Sequence, residues 1–293
     1  MRRSAGRLAA AADGLRELLA PCRLCPNECG IDRLSGELGR CGVGSLPRVA
    51  SYGPHFGEES VLVGESGSGT VFLSGCSLEC VYCQNWTISQ ARAGSDLSVR
   101  DLAEIYLQLQ DAGCENLNLV TPTHQTYAIV AALEMAFARG LRVPIVWNCG
   151  GYESTAALRL LDGIVDIYMP DLKYADSEVA RRLSGVSGYV DRTREAVLEM
   201  HRQVGDLLVD RRGVARSGLL VRHLVLPNDL AGTEGAMQFL AEEVSVDTYV
   251  NLMDQYRPCY RVDEVPDLAR RTTRAEYLKA ARIARAAGLH RFA

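Results

Sequence analysis

Lysine is almost absent from this chain. Its 293 residues include 32 basic side chains, and only Lys173 and Lys279 are lysines. We attach no function to that imbalance. The chain also lacks an excess of positive charge. Its net charge of −4 argues against a general nucleic-acid partner. No uninterrupted apolar run approaches the 18 residues of a membrane span, so no membrane-crossing segment is expected. Met1-Arg2-Arg3 before an Ala-rich stretch imitates a secretory signal, but Asp13, Arg16 and Glu17 break any apolar centre. Leu8, Ala12, Leu15 and Leu19 fall instead on one helical face, which predicts a short amphipathic helix over 1–20. There is no convincing short-period repeat or long low-complexity segment. The length allows one large α/β domain or two small ones.

Cysteine, by contrast, is abundant. Seven of the ten cysteines lie in two tight groups, Cys22 to Cys41 and Cys76 to Cys83. Grouping of that kind points to metal binding in a reducing cytoplasm rather than to a disulfide framework. Cys114, Cys149 and Cys259 are left over.

The second group follows an apolar run and a glycine, Val71-Phe72-Leu73-Ser74-Gly75, and reads Cys76-x3-Cys80-x2-Cys83. Three thiolates on so short a loop can face one centre, and thiolate sulfur suits iron–sulfur clusters and zinc. A closed structural zinc site wants four ligands. Three cysteines on a [4Fe–4S] cluster leave one iron open for catalysis. A zinc loop and buried free cysteines are the alternatives.

Beyond residue 70, apolar segments alternate with helical patterns. Candidate strands are 70–74, 117–120, 143–147, 164–169, 219–226 and 246–252, each short and without strict polar alternation, as in buried parallel sheets. Ser98-x-x-Asp101 and Thr273-x-x-Glu276 read as capping boxes that open helices. Further helices are expected over 126–139, 153–162, 191–204 and 233–243. Residues 21–69, rich in Gly, Pro and Ser, are expected to be irregular. Six strand–helix units predict parallel strands with right-handed crossovers. An open (β/α)6 partial barrel fits, with its site at the strands' C-terminal ends. A doubly wound sheet is the alternative.

Polar residues just after each strand are then the site candidates. The second strand delivers Thr121, Thr123 and His124, the last of which serves equally well as an ordinary helix N-terminal residue. The third ends in Asn148-Cys149-Gly150-Gly151. The fourth ends in Met169-Pro170-Asp171-Leu172-Lys173, whose two charges are costly in a buried strand unless paired or functional. The fifth carries Arg222 inside an apolar run, suited to bidentate capture of a carboxylate or to an internal salt bridge. The sixth leads to Gln255, Tyr256 and Arg257.

The cysteine spacing, with Tyr82 just before its last member, resembles the radical S-adenosylmethionine (radical SAM) superfamily. Gly67-Ser68-Gly69-Thr70, Cys83-Gln84-Asn85, Leu119-Val120-Thr121-Pro122-Thr123-His124, Tyr168-Met169-Pro170-Asp171-Leu172-Lys173-Tyr174 and Asn251-Leu252-Met253-Asp254-Gln255-Tyr256 further resemble the pyruvate formate-lyase activating enzymes, and within them the PflX-like branch. The resemblance implies a radical SAM partial (β/α)6 barrel. It implies a [4Fe–4S] cluster on Cys76, Cys80 and Cys83, whose open iron chelates SAM. An electron from the cluster then cleaves SAM to a 5′-deoxyadenosyl radical that abstracts a substrate hydrogen atom. It implies cofactor contacts from Tyr82, Asn148, Asp171, Lys173 and Arg222. Thr121 and His124 stand where many relatives carry a Gly-Gly-Glu segment that receives the SAM amino group. Met169 and Asp171 match half of a monovalent-cation site. A reductant such as flavodoxin or ferredoxin is implied, and the substrate is a glycyl-radical enzyme, a peptide or a small molecule. A non-catalytic iron–sulfur carrier is the reading from another class.

Cys22-x2-Cys25-x3-Cys29 and then Cys41 bring four thiols into 20 residues, among glycines that supply the turns of a metal knuckle. Zinc and a second iron–sulfur cluster both suit four cysteines. The expected division is an N-terminal helix with a cysteine-rich metal-binding segment over 1–66, followed by the barrel over 67–293.

Overall fold

Six short apolar segments become the parallel strands of one open sheet. The computed structural model describes residues 3–293, so the first two residues of the expected N-terminal helix lie outside the described residues. In chain order the strands are β1 (Arg48–His55), β2 (Ser68–Leu73), β3 (Ser95–Asp96), β4 (Leu117–Val120), β5 (Ile145–Cys149), β6 (Ile167–Pro170), β7 (Leu208–Val209), β8 (Ala215–Leu224), β9 (Tyr249–Met253) and β10 (Arg291–Phe292). Their order across the sheet is β10-β9-β8-β6-β5-β4-β2-β1-β3, with β7 paired to β8. Every pair from β2 to β10 along that path is parallel. The fold is α/β with a mostly parallel, open sheet, as in a radical SAM partial barrel. The α-helices are α1 (Ala5–Glu17), α2 (Ser60–Val63), α3 (Trp86–Ser89), α4 (Val99–Asp111), α5 (Thr126–Ala138), α6 (Thr155–Leu160), α7 (Ser177–Ser184), α8 (Tyr189–Val204), α9 (Thr233–Phe239) and α10 (Arg274–Ala286).

Local chemistry accounts for most of these boundaries. Ser98 with Asp101, and Thr273 with Glu276, form reciprocal capping boxes at α4 and α10. Helix α1 buries Leu8, Ala12 and Leu15, and Leu19 just beyond it is also buried. It packs across α6, where a Cβ on Gly14 would stand 3.0 Å from Leu160. Among the described residues no helix is long and apolar enough to cross a membrane.

The segment expected to be irregular, 21–69, holds two regular elements. Strand β1 pairs antiparallel with β2 from Val49 opposite Leu73 to His55 opposite Ser68, with a bulge between Val49 and Ser51. Gly53 and Pro54 hide it from a pattern reading. Proline is tolerated there because β3 pairs only with Arg48 and Val49, which leaves that part of β1 an edge. Helix α7 also lay outside the expected set, because its sequence is mostly polar. Asp176 caps it at one end, and Gly185 closes it at φ 67°. Strands β5 and β6 begin two and three residues later than expected, so Asn148 and Cys149 lie inside β5.

Three buried layers follow from this arrangement. Between sheet and helices lies the main core, which includes Leu119, Trp147, Tyr168 and Val221. At the strands' C-terminal ends a second cluster surrounds the cysteine loop, with Tyr82, Tyr174, Leu183 and Tyr256. A third forms the floor of the barrel, where Leu62 of α2 meets Val146, Ile167, Met169 and Leu220. The β1–β2 connection therefore plugs the barrel from below. Asn116 secures it, donating to the Leu62 carbonyl (2.8 Å) while accepting from the Ser68 hydroxyl (2.6 Å). Leu62 is fully buried. Leu62→Ala is therefore expected to cost about 2–5 kcal/mol in urea unfolding, the usual range for a truncated core leucine.

Candidate active site

The cysteine loop leaves β2 through Gly75, whose φ of 82° favours glycine. Space makes the same demand. A Cβ there would stand 2.6 Å from the Cys41 carbonyl oxygen, 2.8 Å from Val43 Cγ2 and 3.0 Å from His124 Nε2. The loop is tied down on several sides. The amides of Glu79 and Val81 donate to the carbonyls of Ser184 (3.0 Å) and Leu183 (2.9 Å). Asn27 Nδ2 donates to the Ser77 carbonyl (2.7 Å), and Arg40 grips Glu79 through Nε (3.1 Å) and Nη2 (2.9 Å). The N-terminal cysteine segment thus packs directly on the loop of the second cysteine group.

Each thiol of that loop has a protein partner. Cys76 Sγ accepts from the Leu78 amide (3.4 Å), Cys80 Sγ pairs with the Ser184 hydroxyl (2.9 Å) and Cys83 Sγ with the Ser89 hydroxyl (3.1 Å). Burial pushes the Cys76 thiol up, and the neighbouring Cys80 and Cys83 add to the shift. Burial likewise takes Cys80 to about 11, against the pull of Lys173. Among the described residues no three Cys, His, Asp or Glu side chains stand at metal-holding geometry. Loading a metal therefore removes the proton of each thiol. The chemistry of the donor set nonetheless fits a [4Fe–4S] cluster: three soft sulfurs on one loop, close enough to oppose one another's ionisation.

That loop borders a cleft of about 280 Å³, lined by Cys80, Tyr82, Cys83, Asp171, Lys173, Arg222, Met253 and Gln255, among others. Tyr82 stands beside the cysteines with its hydroxyl on that of Tyr174 (2.6 Å) and its ring edge-on to Tyr256 (5.9 Å between centroids). Asp171 sits between two cations. Its Oδ1 accepts from Arg222 Nε (2.7 Å) and its Oδ2 from Lys173 Nζ. Burial alone would raise the Asp171 pKa, but Arg222 and Lys173 together hold it below the ordinary carboxylate range. Burial alone would lower both cations, but Asp171 together with Cys80 on Lys173, and with Glu59 and Glu58 on Arg222, raises them. All three are charged at neutral pH.

Arg222 also donates through Nη2 to Asn148 Oδ1 (2.8 Å). Two carboxylates of the plug reach the same layer from below. Glu58 Oε2 accepts from Asn118 Nδ2 (3.1 Å) and Asn148 Nδ2 (3.4 Å). Glu59 Oε1 accepts from Asn251 Nδ2 (3.0 Å) and stands 4.0 Å from Arg222 Nη1. The structure therefore brings together Tyr82, Asn148, Asp171, Lys173 and Arg222 of the expected site residues. Met169 of β6 is fully buried in the barrel floor, two residues before Asp171.

Thr121 and His124 lie elsewhere. Thr121 ends β4 at φ 62°, with its amide on the Asn148 carbonyl (2.8 Å). His124 is 1% exposed and stands beneath the cysteine loop, with Nε2 on the Ser74 carbonyl (2.8 Å). Burial takes its pKa down to about 4, so the ring is neutral and Nε2 carries the proton. Its geometry is that of a support under Gly75. Glu153, two residues past the paired glycines, is buried and accepts from Thr123 and from Trp147 Nε1 (3.5 Å). Burial raises its pKa to about 7.

In the N-terminal group, Cys22, Cys25 and Cys41 are buried and Cys29 is half-buried. Burial lifts Cys25 to about 12, with Cys41, Cys29 and Cys22 contributing, so the four thiols form one electrostatic group. Four thiols are a donor set for either zinc or an iron–sulfur cluster.

The radical SAM superfamily model matches residues 70–212, which begin in β2 and include the three-cysteine loop and the Asp171–Lys173 strand end. The uncharacterized protein MJ0674 of Methanocaldococcus jannaschii is 32% identical over 279 residues, covering 92% of this chain and 75% of its own. The chain belongs to the radical SAM superfamily. Membership makes it an enzyme of radical chemistry and implies a [4Fe–4S] cluster and SAM. Among solved structures, similarity extends to HydG, a maturase of the [FeFe]-hydrogenase (TM-score 0.49, 14% identity, 74% of this chain). It extends also to methylornithine synthase PylB (0.46, 16%, 72% of this chain and 59% of that one). This radical SAM chain spans about half (48%) of the HydG chain it matches.

Sequence reasoning did not find Glu58, Glu59, Ser89 or Ser184. The two hydroxyls carry no signal in sequence. The two adjacent acids stand in a Gly-rich connection where nothing local says that they turn inward.

Two outcomes are expected. The Glu153 pKa is raised on folding, from 4.5 to about 7, so its contribution is fully present below about pH 4.5 and lost as the pH climbs to about 7. The loss amounts to about 3 kcal/mol, and Glu153→Gln should flatten that part of a urea-denaturation pH profile. Gly75→Ala should destabilise by about 2–3 kcal/mol through positive-φ strain and the clash with the Cys41 carbonyl, read by thermal melting.

Proposed function

We propose that this protein reductively cleaves SAM and uses the resulting radical to abstract hydrogen from a protein or peptide substrate, as a glycyl-radical activase does. The single observation that carries the reading is the shared cleft. It sets Cys80 and Cys83 against the charged trio Asp171, Lys173 and Arg222, with Tyr82 between them. When bound, the cluster supplies the electron that splits SAM into methionine and a 5′-deoxyadenosyl radical.

The chain's own residues do the rest. Cys76, Cys80 and Cys83 would hold three irons of the cluster as thiolates. Arg222 keeps donors beyond those committed to Asp171 and Asn148, and these suit a carboxylate. Asp171 and Lys173 offer an acceptor and a donor to the polar ends of the ligand. Met169 and Asp171 offer half of a monovalent-cation site, and Asn148 stands where relatives carry an acidic residue. Thr121 follows the strand after which relatives carry the segment that receives the ligand's amino group, and His124 supports the cysteine loop through the Ser74 carbonyl. The activase subtype, the PflX-like branch and a flavodoxin- or ferredoxin-type reductant come with the resemblance of the quoted segments. A cytoplasmic setting follows from the grouped cysteines, in which the ten free thiols stay reduced. Cys22, Cys25, Cys29 and Cys41 are assigned to zinc or to a second cluster, in an N-terminal metal-binding segment over 1–66.

Anaerobic purification with iron, sulfide and zinc quantified, followed by an assay for 5′-deoxyadenosine, tests the reading. About four irons per chain with SAM cleavage supports it and leaves the N-terminal cysteines to zinc, whereas about eight irons assigns them a second cluster. Cys80→Ala should abolish both SAM cleavage and the [4Fe–4S] spectrum. A reconstituted protein that never yields 5′-deoxyadenosine overturns the enzyme reading.

A further inference from the structure

The geometry assigns Glu59, seconded by Glu58, as the positioning residue that orients Arg222 toward SAM from beneath the cleft. This rests on the proposed role of Arg222 as a SAM contact.

Charge is the first reason. Two buried cations, Arg222 and Lys173, share one carboxylate of the cleft, Asp171, which gives Oδ1 to one and Oδ2 to the other. Glu59 supplies the second countercharge, 4.0 Å from Arg222 Nη1. The guanidinium is then held on three edges, with Asp171 on Nε, Asn148 on Nη2 and Glu59 facing Nη1. Glu58 completes the frame by fixing the Asn148 amide, whose nitrogen reaches Glu58 Oε2 (3.4 Å) while its oxygen receives Arg222.

The second reason is where the Glu59 carboxylate goes. It stands at the N-cap of α2 and makes no capping hydrogen bond. Its carboxylate turns into the barrel instead, only 5% exposed, with Oε2 lacking any partner among the described residues. A plug selected for stability alone would place an apolar side chain there, as it does with Leu62 beneath. A buried carboxylate left half-satisfied marks a group kept for orientation and charge.

The decisive experiment titrates cluster-reconstituted protein with SAM by anaerobic equilibrium dialysis, with iron content and melting temperature recorded on the same samples. Glu59→Gln is expected to raise the SAM Kd about tenfold while the cleavage rate at saturating SAM stays within about twofold, the pattern of lost ground-state binding. Glu59→Asp, which keeps the charge, should recover most of the affinity. A merely structural plug would lower melting temperature and iron content and leave the Kd of the loaded protein unchanged, which overturns the inference. Should Glu59→Gln fail to fold, Asn251→Ala removes the tether on Oε1 without changing charge. A Kd raised about threefold supports the assignment and an unchanged one overturns it. Arg222→Lys separates the two levels. An unchanged Kd there sinks the role of Arg222 itself, whereas a weakened Arg222→Lys beside an unaffected Glu59→Gln sinks only the part given to Glu59.

Discussion

A single carboxylate stands between two cations at the mouth of the barrel, and much of the structure answers to that arrangement. Asp171, Arg222 and Lys173 are drawn out of water together, at a desolvation cost that only close pairing and complete hydrogen bonding can offset. Asp171 closes β6, and its chain bridges directly to Arg222 on β8. Asn148 on β5 takes the second edge of the guanidinium. Three neighbouring strands are thereby held in one register at the level where a ligand meets them.

The N-terminal segment completes what the parallel strands leave open. One part of it, α2 with Glu58 and Glu59, closes the barrel from below and reaches the charged layer from underneath. Another part, from Asn27 to Val43, lies on the cysteine loop from above and accounts for the absent side chain at Gly75. Between them β1 extends the sheet past β2. The charged layer and the sulfur loop thus share one supporting chain, although they occupy opposite sides of the cleft.

Much of this was legible in the residues. All six central strands, the two capping boxes and the buried face of α1 were signalled by apolar runs, Ser or Thr three residues before an acid, and helical spacing. So were the charged strand end at Asp171 and Lys173 and the lone arginine at 222, because charge inside an apolar run needs a reason. Strand β1 escaped because Gly53 and Pro54 argue against a strand wherever the partner is unknown. Helix α7 escaped because its burial is supplied by tertiary packing of Ala180 and Leu183 rather than by a long apolar stripe. His124 read as a cleft residue from its place after β4. Only in the folded chain does it face the underside of Gly75. The plug carboxylates escaped for the same reason, since nothing local says that the chain at 58–59 turns inward.

The hydrogen bond from Asn251 to Glu59 closes a loop of 192 residues. Its two ends belong to the start and the finish of the sheet, so the charged layer is complete only after β9 has been synthesised and docked. Contacts at that separation are slow to form, because the chain must be ordered over its whole length before they return any free energy. During synthesis the plug emerges long before Asn251, its partner on β9. The order in which this chain leaves the ribosome is therefore nearly the reverse of the order in which its active site is finished.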